Sequence, residues 1–73
     1  MVEIEFYGQL ADGRERKIAM KIFQPLTLRQ LIFQQGIDEE KIGLVVMDGR
    51  ECQLEDLILL NSRICLFPPM SGG

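Results

Sequence analysis

Residues 26–37 read LTLRQLIFQQGI, and this segment decides the fold class because it carries the only full-length helix pattern in the chain. Leu28, Leu31 and Ile32 stand at positions i, i+3 and i+4, the spacing that places side chains on one helical face. A helix with one apolar face must bury that face against another element. The segment therefore predicts one amphipathic helix packed on the rest of the domain.

Capping residues mark both ends of this helix. Thr27 can cap the N-terminus while the side chain of Gln30 bonds back to it, as in a capping box. At the other end Gly36 can take the left-handed conformation, with Ile37 placed to contact the last turn as in a Schellman ending. The pattern predicts a helix over residues 27–35.

Two strands are predicted before the helix. Apolar residues alternate with mostly polar ones at residues 2–7 and again at residues 17–23, a period typical of strands with one buried face. A polar stretch containing the turn pair Asp12-Gly13 joins them and favours a hairpin. Pro25 then ends the strand pattern.

A second hairpin is predicted after the helix. The acidic run at residues 38–40 is interpreted as a solvated loop or a single helical turn, with contact to a basic partner as the alternative. Residues 43–47 form an apolar strand that ends at Asp48-Gly49, a strong two-residue hairpin signal, and residues 50–53 return as a short strand.

The last part of the chain completes the fold. Leu54, Leu57 and Ile58 show helical spacing over barely one turn, and a turn at residues 61–62 precedes a final strand at residues 63–67. The order strand, strand, helix, strand, short strand, strand predicts an α+β, β-grasp (ubiquitin-like) roll, with one main helix on one face of a mixed four- to five-stranded sheet. The predicted core consists of Val2, Ile4, Phe6, Ile18, Met20, Ile22, Leu28, Leu31, Ile32, Val45, Ile64 and Leu66.

The face of the sheet away from the helix is the first candidate site. Alternation along the last strand puts Cys65 and Phe67 on that face, where Phe67 and Leu44 or Val46 would form an apolar patch. Such patches on small domains often mark docking sites, and we expect partner binding here. The alternative is that loop residues cover the patch or that isolated apolar residues are tolerated.

Composition narrows the function further. The 73 residues suit one small domain, and Leu, Ile, Val and Phe make up about a third of them, enough for a packed core. The chain has no histidine and two cysteines, so metal sites and acid-base catalysis are not expected. A net charge of −3 argues against nucleic acid, and no apolar run approaches the ~20 residues of a membrane span. Without a signal peptide pattern, we expect a cytoplasmic protein.

The second candidate site is the C-terminal segment Phe67-Pro68-Pro69-Met70-Ser71-Gly72-Gly73. Two prolines cannot extend a ladder, so we divide the chain into a domain at residues 1–67 and a flexible tail at residues 68–73. Glycines 72 and 73 have no Cβ and can thread a narrow channel, which makes the carboxylate of Gly73 the candidate reactive group. ATP in a partner enzyme could convert that carboxylate to an acyl-adenylate.

This C-terminal segment resembles the signature of the ThiS/MoaD family of sulfur carrier proteins, and its Phe-Pro-Pro element is most similar to the small subunit of molybdopterin synthase. The resemblance implies a carrier rather than an enzyme, with no cofactor of its own. An adenylating enzyme of the MoeB/ThiF kind would use ATP to activate Gly73, and sulfur transfer would give a thiocarboxylate. A larger synthase subunit would then take the sulfur for the molybdenum or tungsten cofactor.

Three alternatives remain open at this point. The same activated carboxylate could be joined to lysines of target proteins, as in a ubiquitin-like modifier. It could feed a thiazole synthase in thiamine formation, or the chain could be a β-grasp interaction domain whose glycines are incidental. The molybdopterin carrier, the thiamine carrier and the protein modifier all need the same tail, so the residues alone do not separate these three functions.

Overall fold

The apolar alternation and the capped segment fold into one sheet and one helix. A computed structural model describes residues 1–70, and within them it contains five strands and one α-helix. The elements are β1 (Val2–Phe6), β2 (Lys17–Met20), α1 (Leu28–Gln34), β3 (Leu44–Met47), β4 (Arg50–Cys52) and β5 (Arg63–Phe67). The predictions for Ser71, Gly72 and Gly73 lie outside the described residues.

The sheet has the strand order β2-β1-β5-β3-β4, with β5 in the middle. β1 runs antiparallel to β2 and parallel to β5, while β3 runs antiparallel to both β4 and β5. The sheet is therefore mixed, and the chain's first and last strands are neighbours. This arrangement of five strands and one helix confirms the predicted β-grasp fold.

The helix ends as its sequence predicts. The Thr27 hydroxyl accepts from the Gln30 N–H at 3.1 Å, and Gln30 Oε1 accepts from the Thr27 N–H at 2.9 Å, which completes the capping box. Gly36 has φ of 76°, and the Ile37 N–H donates to the Ile32 carbonyl at 3.2 Å. This last hydrogen bond is the 6→1 bond of a Schellman ending.

Two further local predictions are confirmed. Asp48 and Gly49 both have positive φ, 53° and 83°, and the pairing of Met47 with Arg50 makes them a two-residue hairpin turn. The acidic run after the helix forms a single 3₁₀ turn, Glu39–Lys41, in which the Asp38 side chain accepts from the Glu40 N–H at 3.0 Å. Both structures depend on donors and acceptors only a few residues apart.

The core lies between α1 and one face of the sheet. Most of the predicted core residues are buried, but the three from the second strand pattern, Ile18, Met20 and Ile22, are only half-buried because β2 is an edge strand. Connecting segments supply further apolar side chains that strand alternation does not identify, and Met47, the last residue of β3, also faces the core. The additional buried residues are Leu10, Leu26, Ile37, Met47 and Ile58.

The predicted helical turn at Leu54, Leu57 and Ile58 is wrong. The Leu54 and Asp56 carbonyls instead accept from the backbone N–H groups of Arg29 and Leu28, both at 3.0 Å. The first N–H groups of a helix have no partner within it, so this segment satisfies them from outside. Leu57 also forms an isolated bridge with Thr27, and in the turn before it the Asp56 N–H donates to the Gln53 carbonyl at 3.0 Å.

Four strand ends also differ from prediction: β3 begins at Leu44 and β4 stops at Cys52, each one residue inside the predicted bounds, and β2 and β1 end early. β2 stops at Met20 instead of continuing to residue 23, and Phe23 is 90% exposed. β1 stops at Phe6, one residue before the predicted end. In both cases the side-chain pattern continues past the last residue that a neighbouring strand pairs with.

Within residues 1–70, no helix has the length and apolar character needed to span a lipid bilayer.

Candidate functional site

The sheet face opposite α1, here called the open face, brings together the four predicted docking residues. Leu44 pairs directly with Phe67, and Val46 pairs directly with Cys65, because β3 and β5 are antiparallel neighbours. All four side chains are half-buried. Together these four side chains form one continuous apolar surface along the middle of the sheet, here called the apolar patch.

Tyr7 adds to the apolar patch, although the sequence interpretation placed it only on a mostly wet face. Its ring stacks on Phe67 with 4.5 Å between ring centroids and 12° between ring planes. Parallel pairing of Phe6 with Leu66 sets this contact, since the next residues of the two strands lie side by side. Only the register of two strands 60 residues apart could have revealed it.

The Tyr7 phenol stays neutral at physiological pH. Partial loss of solvent, and then a hydrogen bond with Glu5, raise the pKa of Tyr7 above its ordinary value of 10.0. Cys65 acts in the same direction through its charge and through a hydrogen bond. The aromatic pair therefore offers an uncharged surface with one hydroxyl at its edge.

Charged side chains of both signs surround the apolar patch, and Lys17 pairs with Glu5 across the β1–β2 ladder. Register places Glu5 next to Cys65 and Glu51 next to Val46, while Glu3 lies 3.6 Å from Arg63 in an exposed ion pair. Exposed pairs of this kind contribute little to stability. Their larger effect is on recognition, because an apolar centre with a rim of mixed charge is complementary to a partner that carries the matching charges around an apolar contact.

The C-terminal segment begins where the ladder of β5 ends. The Tyr7 N–H donates to the Leu66 carbonyl at 3.0 Å, and the Gly43 N–H donates to the Phe67 carbonyl at 2.8 Å. Pro68 follows without an N–H, so it cannot continue the ladder. Pro68 is half-buried, Pro69 is exposed and Met70 is 98% exposed. The segment therefore starts beside the apolar patch, at the end of the central strand.

The two cysteines lie on different faces of the sheet. Cys52 pairs with Val45, whose side chain is in the core, whereas Cys65 pairs with Val46 on the open face. Both thiols are free. Within residues 1–70 no three His, Cys, Asp or Glu side chains come close enough to hold a metal ion. What the described residues offer is an apolar patch and, beside it, the start of the C-terminal segment.

Two solved structures share this fold over nearly the whole chain. SAMP1 from Haloferax volcanii superposes with a TM-score of 0.72 at 20% identity, covering 99% of this chain and 98% of that one. A complex of subunits 1 and 2 of molybdopterin-converting factor from Helicobacter pylori 26695 matches with a TM-score of 0.60 at 22% identity, covering 99% and 97%. No protein-family model and no curated protein sequence matches the chain. The likeness confirms the β-grasp architecture.

Proposed function

We propose that this chain is a sulfur carrier protein of the ThiS/MoaD type, acting as the small subunit in the synthesis of molybdopterin. The observation that carries the proposal is the position of the C-terminal segment, which leaves the central strand directly beside the apolar patch. One partner can therefore hold the patch and receive the segment at the same time. The carrier supplies the surface and the carboxylate, and the partner supplies ATP and the reactive side chains.

The proposed chemistry takes place at the carboxylate of Gly73. One carboxylate oxygen attacks the α-phosphorus of ATP, which releases pyrophosphate and leaves an acyl-adenylate. Sulfide, as HS⁻, then attacks the acyl carbon and displaces AMP, so that one sulfur replaces one oxygen and the proton passes to solvent. The resulting thiocarboxylate is the form that donates sulfur to the acceptor.

The length of the segment fits this division of labour. Six extended residues beyond Phe67 span about 20 Å, at ~3.3 Å each. This distance lets the carboxylate enter a deep site while the folded body stays outside. Pro68 and Pro69 favour extended backbone at the start of the segment, which lowers the entropy lost when it enters a channel.

Two partners are proposed in turn. The first is an adenylating enzyme of the MoeB/ThiF kind, and the second is the larger subunit of the synthase. The similar structure from Helicobacter pylori 26695 is itself a complex of two subunits of molybdopterin-converting factor, which supports the second partner. The charged rim of the open face predicts side chains of matching charge on both partners where they contact it.

Intact-mass measurement tests the proposal. The chain is incubated with an adenylating enzyme of this kind, ATP and a sulfur donor, and we expect a gain of ~16 Da for the exchange of oxygen for sulfur. A matched control carries one added alanine after Gly73, and it should gain no mass. No gain on the wild-type chain, with an enzyme that loads another carrier, would contradict the proposal.

The acceptor is tested separately. The loaded carrier is mixed with the large synthase subunit and the molybdopterin precursor, and we expect the ~16 Da gain to be lost as the dithiolene forms. Transfer only to a thiazole synthase would assign the carrier to thiamine formation instead. A ladder of lysine-linked conjugates in cells, without transfer to either acceptor, would favour a protein modifier.

A further inference from the structure

Two glycines flank the first proline of the C-terminal segment. β1 is parallel to β5, so Gly8, two residues beyond Phe6, lies beside Pro68, which is two residues beyond Leu66. β3 is antiparallel to β5, so Gly43, immediately before Leu44, lies on the other side of Pro68. The segment therefore leaves the sheet between two residues that have no side chain.

Gly43 makes the closer approach. A Cβ atom built on it would lie 2.7 Å from both the Pro68 carbonyl oxygen and the Pro69 nitrogen, and would also collide with the Pro69 Cα. Real Cβ atoms essentially never come within 3.0 Å of such atoms, and all of these atoms are backbone, which cannot rotate away. The backbone of Pro68 and Pro69 thus occupies the space that a side chain at position 43 would need.

The backbone of Gly43 does not itself require glycine. Its φ is not among the positive values found at Gly8, Gly13, Gly36 and Gly49, so an L-residue could adopt its conformation without strain. Gly8 differs, because it combines a φ of 58° with a Cβ position 2.9 Å from the Pro68 Cγ. At position 43 the demand for glycine comes from the C-terminal segment alone.

We propose that Gly43 is a positioning residue, whose bare backbone seats Pro68 and Pro69 and sets the direction in which the reactive end leaves the sheet. The inference rests on the proposed carrier function, because direction matters only if the end must enter a partner's site. A side chain at position 43 would push the segment base out until the atoms lay at about 3.4 Å or more. Displacement of Pro68 and Pro69 also displaces the residues that follow them, and misplacement of a reacting group by about 1 Å can cost about 100-fold in rate.

Gly43→Ala isolates this effect, with Gly13→Ala as the matched control. Gly13 has φ of 74° and nothing within 4 Å of its Cβ position, so the control costs backbone strain but leaves the segment untouched. We measure kcat and KM for the ~16 Da mass gain with the adenylating enzyme, and the thermal unfolding of each variant. We expect Gly43→Ala to lower kcat about tenfold or more while KM stays within about twofold, since the apolar patch that docks is unchanged.

Gly13→Ala should show the reverse pattern, with a lower Tm and wild-type loading. Loading of Gly43→Ala at the wild-type rate would overturn the inference, and so would an equal loss of kcat in both variants. If the wild-type chain itself gains no mass, the proposed function fails and the seat is tested directly by NMR. A nuclear Overhauser contact between the α-protons of Gly43 and Pro69 in the free protein supports the seat, and its absence overturns it.

Discussion

The two ends of β5 are built in different ways. At its start, the Asp48 N–H donates to the Arg63 carbonyl and the Arg63 N–H donates to Asp48 Oδ1, both at 2.9 Å. Ser62 is only 2% exposed and its hydroxyl donates to the Leu59 carbonyl at 2.6 Å. The amino group of Met1 donates to Asn61 Oδ1 at 2.6 Å. This end is tied to its neighbours by side chains as well as by the ladder.

At the other end of β5 the contacts come from backbone and rings. The Phe67 carbonyl accepts from the Gly43 N–H. Beyond it, Pro68 and Pro69 have no N–H to continue the ladder. Gly8 and Gly43 have no side chains that would collide with these prolines. Polar side chains thus hold the start of β5 in place, whereas proline and glycine at its end allow the C-terminal segment to leave the sheet. Substitutions at the start of β5 should therefore change stability, and substitutions at its end should change partner binding and loading.

Deletion of Gly73, in the segment that follows β5, should have the largest effect of all, and the effect should be on loading. Loading requires the terminal carboxylate at the full reach of the segment, so we expect the ~16 Da gain to disappear completely. Residues beyond the two prolines add little to the core, so thermal unfolding should match that of the wild-type chain. Intact mass and calorimetry check both halves. A shortened chain that still loads would show that reach does not select the reactive group.

Phe67→Ala should come next, through loss of docking rather than of fold. Truncating a central aromatic of an interface costs about 2 kcal/mol or more, which is about 30-fold in affinity for the adenylating enzyme. Phe33 is the matched control, because it is the same residue type, 81% exposed, on the helix side of the molecule. Titration calorimetry should find Phe33→Ala unchanged. Equal affinity of both variants would mean that the open face is not the docking surface.

Asp48→Ala tests the tied end. It removes the acceptor of the Arg63 N–H and puts alanine at a φ of 53°, so we expect a loss of about 1–2 kcal/mol in unfolding free energy. Asp48→Asn keeps an acceptor oxygen and tolerates the left-handed conformation, so it should cost about 0.5 kcal/mol or less. Urea unfolding measures the difference. If Asp48→Ala lost loading without losing stability, the result would contradict the expected difference between the two ends of β5.

The smallest predicted effect is the pH dependence of the Tyr7–Phe67 stack. Folding raises the pKa of Tyr7 above 10.0, so the protonated phenol stabilises the folded state below that pH, and the contribution is lost as pH rises through the folded pKa. Tyr7 is the only tyrosine and the chain has no tryptophan, so near-ultraviolet absorbance titrates it alone. Tyr7→Phe should flatten the alkaline loss of stability. Equal titration in folded and urea-unfolded chains would contradict the shift.

Local signals predicted the helix caps and the second hairpin because their donors and acceptors are close in sequence. The capping box joins Thr27 to Gln30, and the turn at Asp48 and Gly49 needs only two residues that accept positive φ. Helical spacing at Leu54, Leu57 and Ile58 misled for the opposite reason. The carbonyls of that segment accept hydrogen bonds from the N–H groups of Leu28 and Arg29. No pattern near residues 54–58 indicates these distant partners.

The sequence by itself determined the fold class, the helix and its ends, the faces of the strands, and a C-terminal segment that proline keeps out of the ladder. Tertiary assembly placed β5 between β1 and β3, and with that came the stacking of Tyr7 on Phe67 and the seat of Pro68 and Pro69 on Gly43. The difference lies in the sequence separation between the residues that interact. Caps, turns and alternation depend on atoms within a few residues, whereas both of these contacts follow from the register of strands that meet only when the whole sheet is assembled.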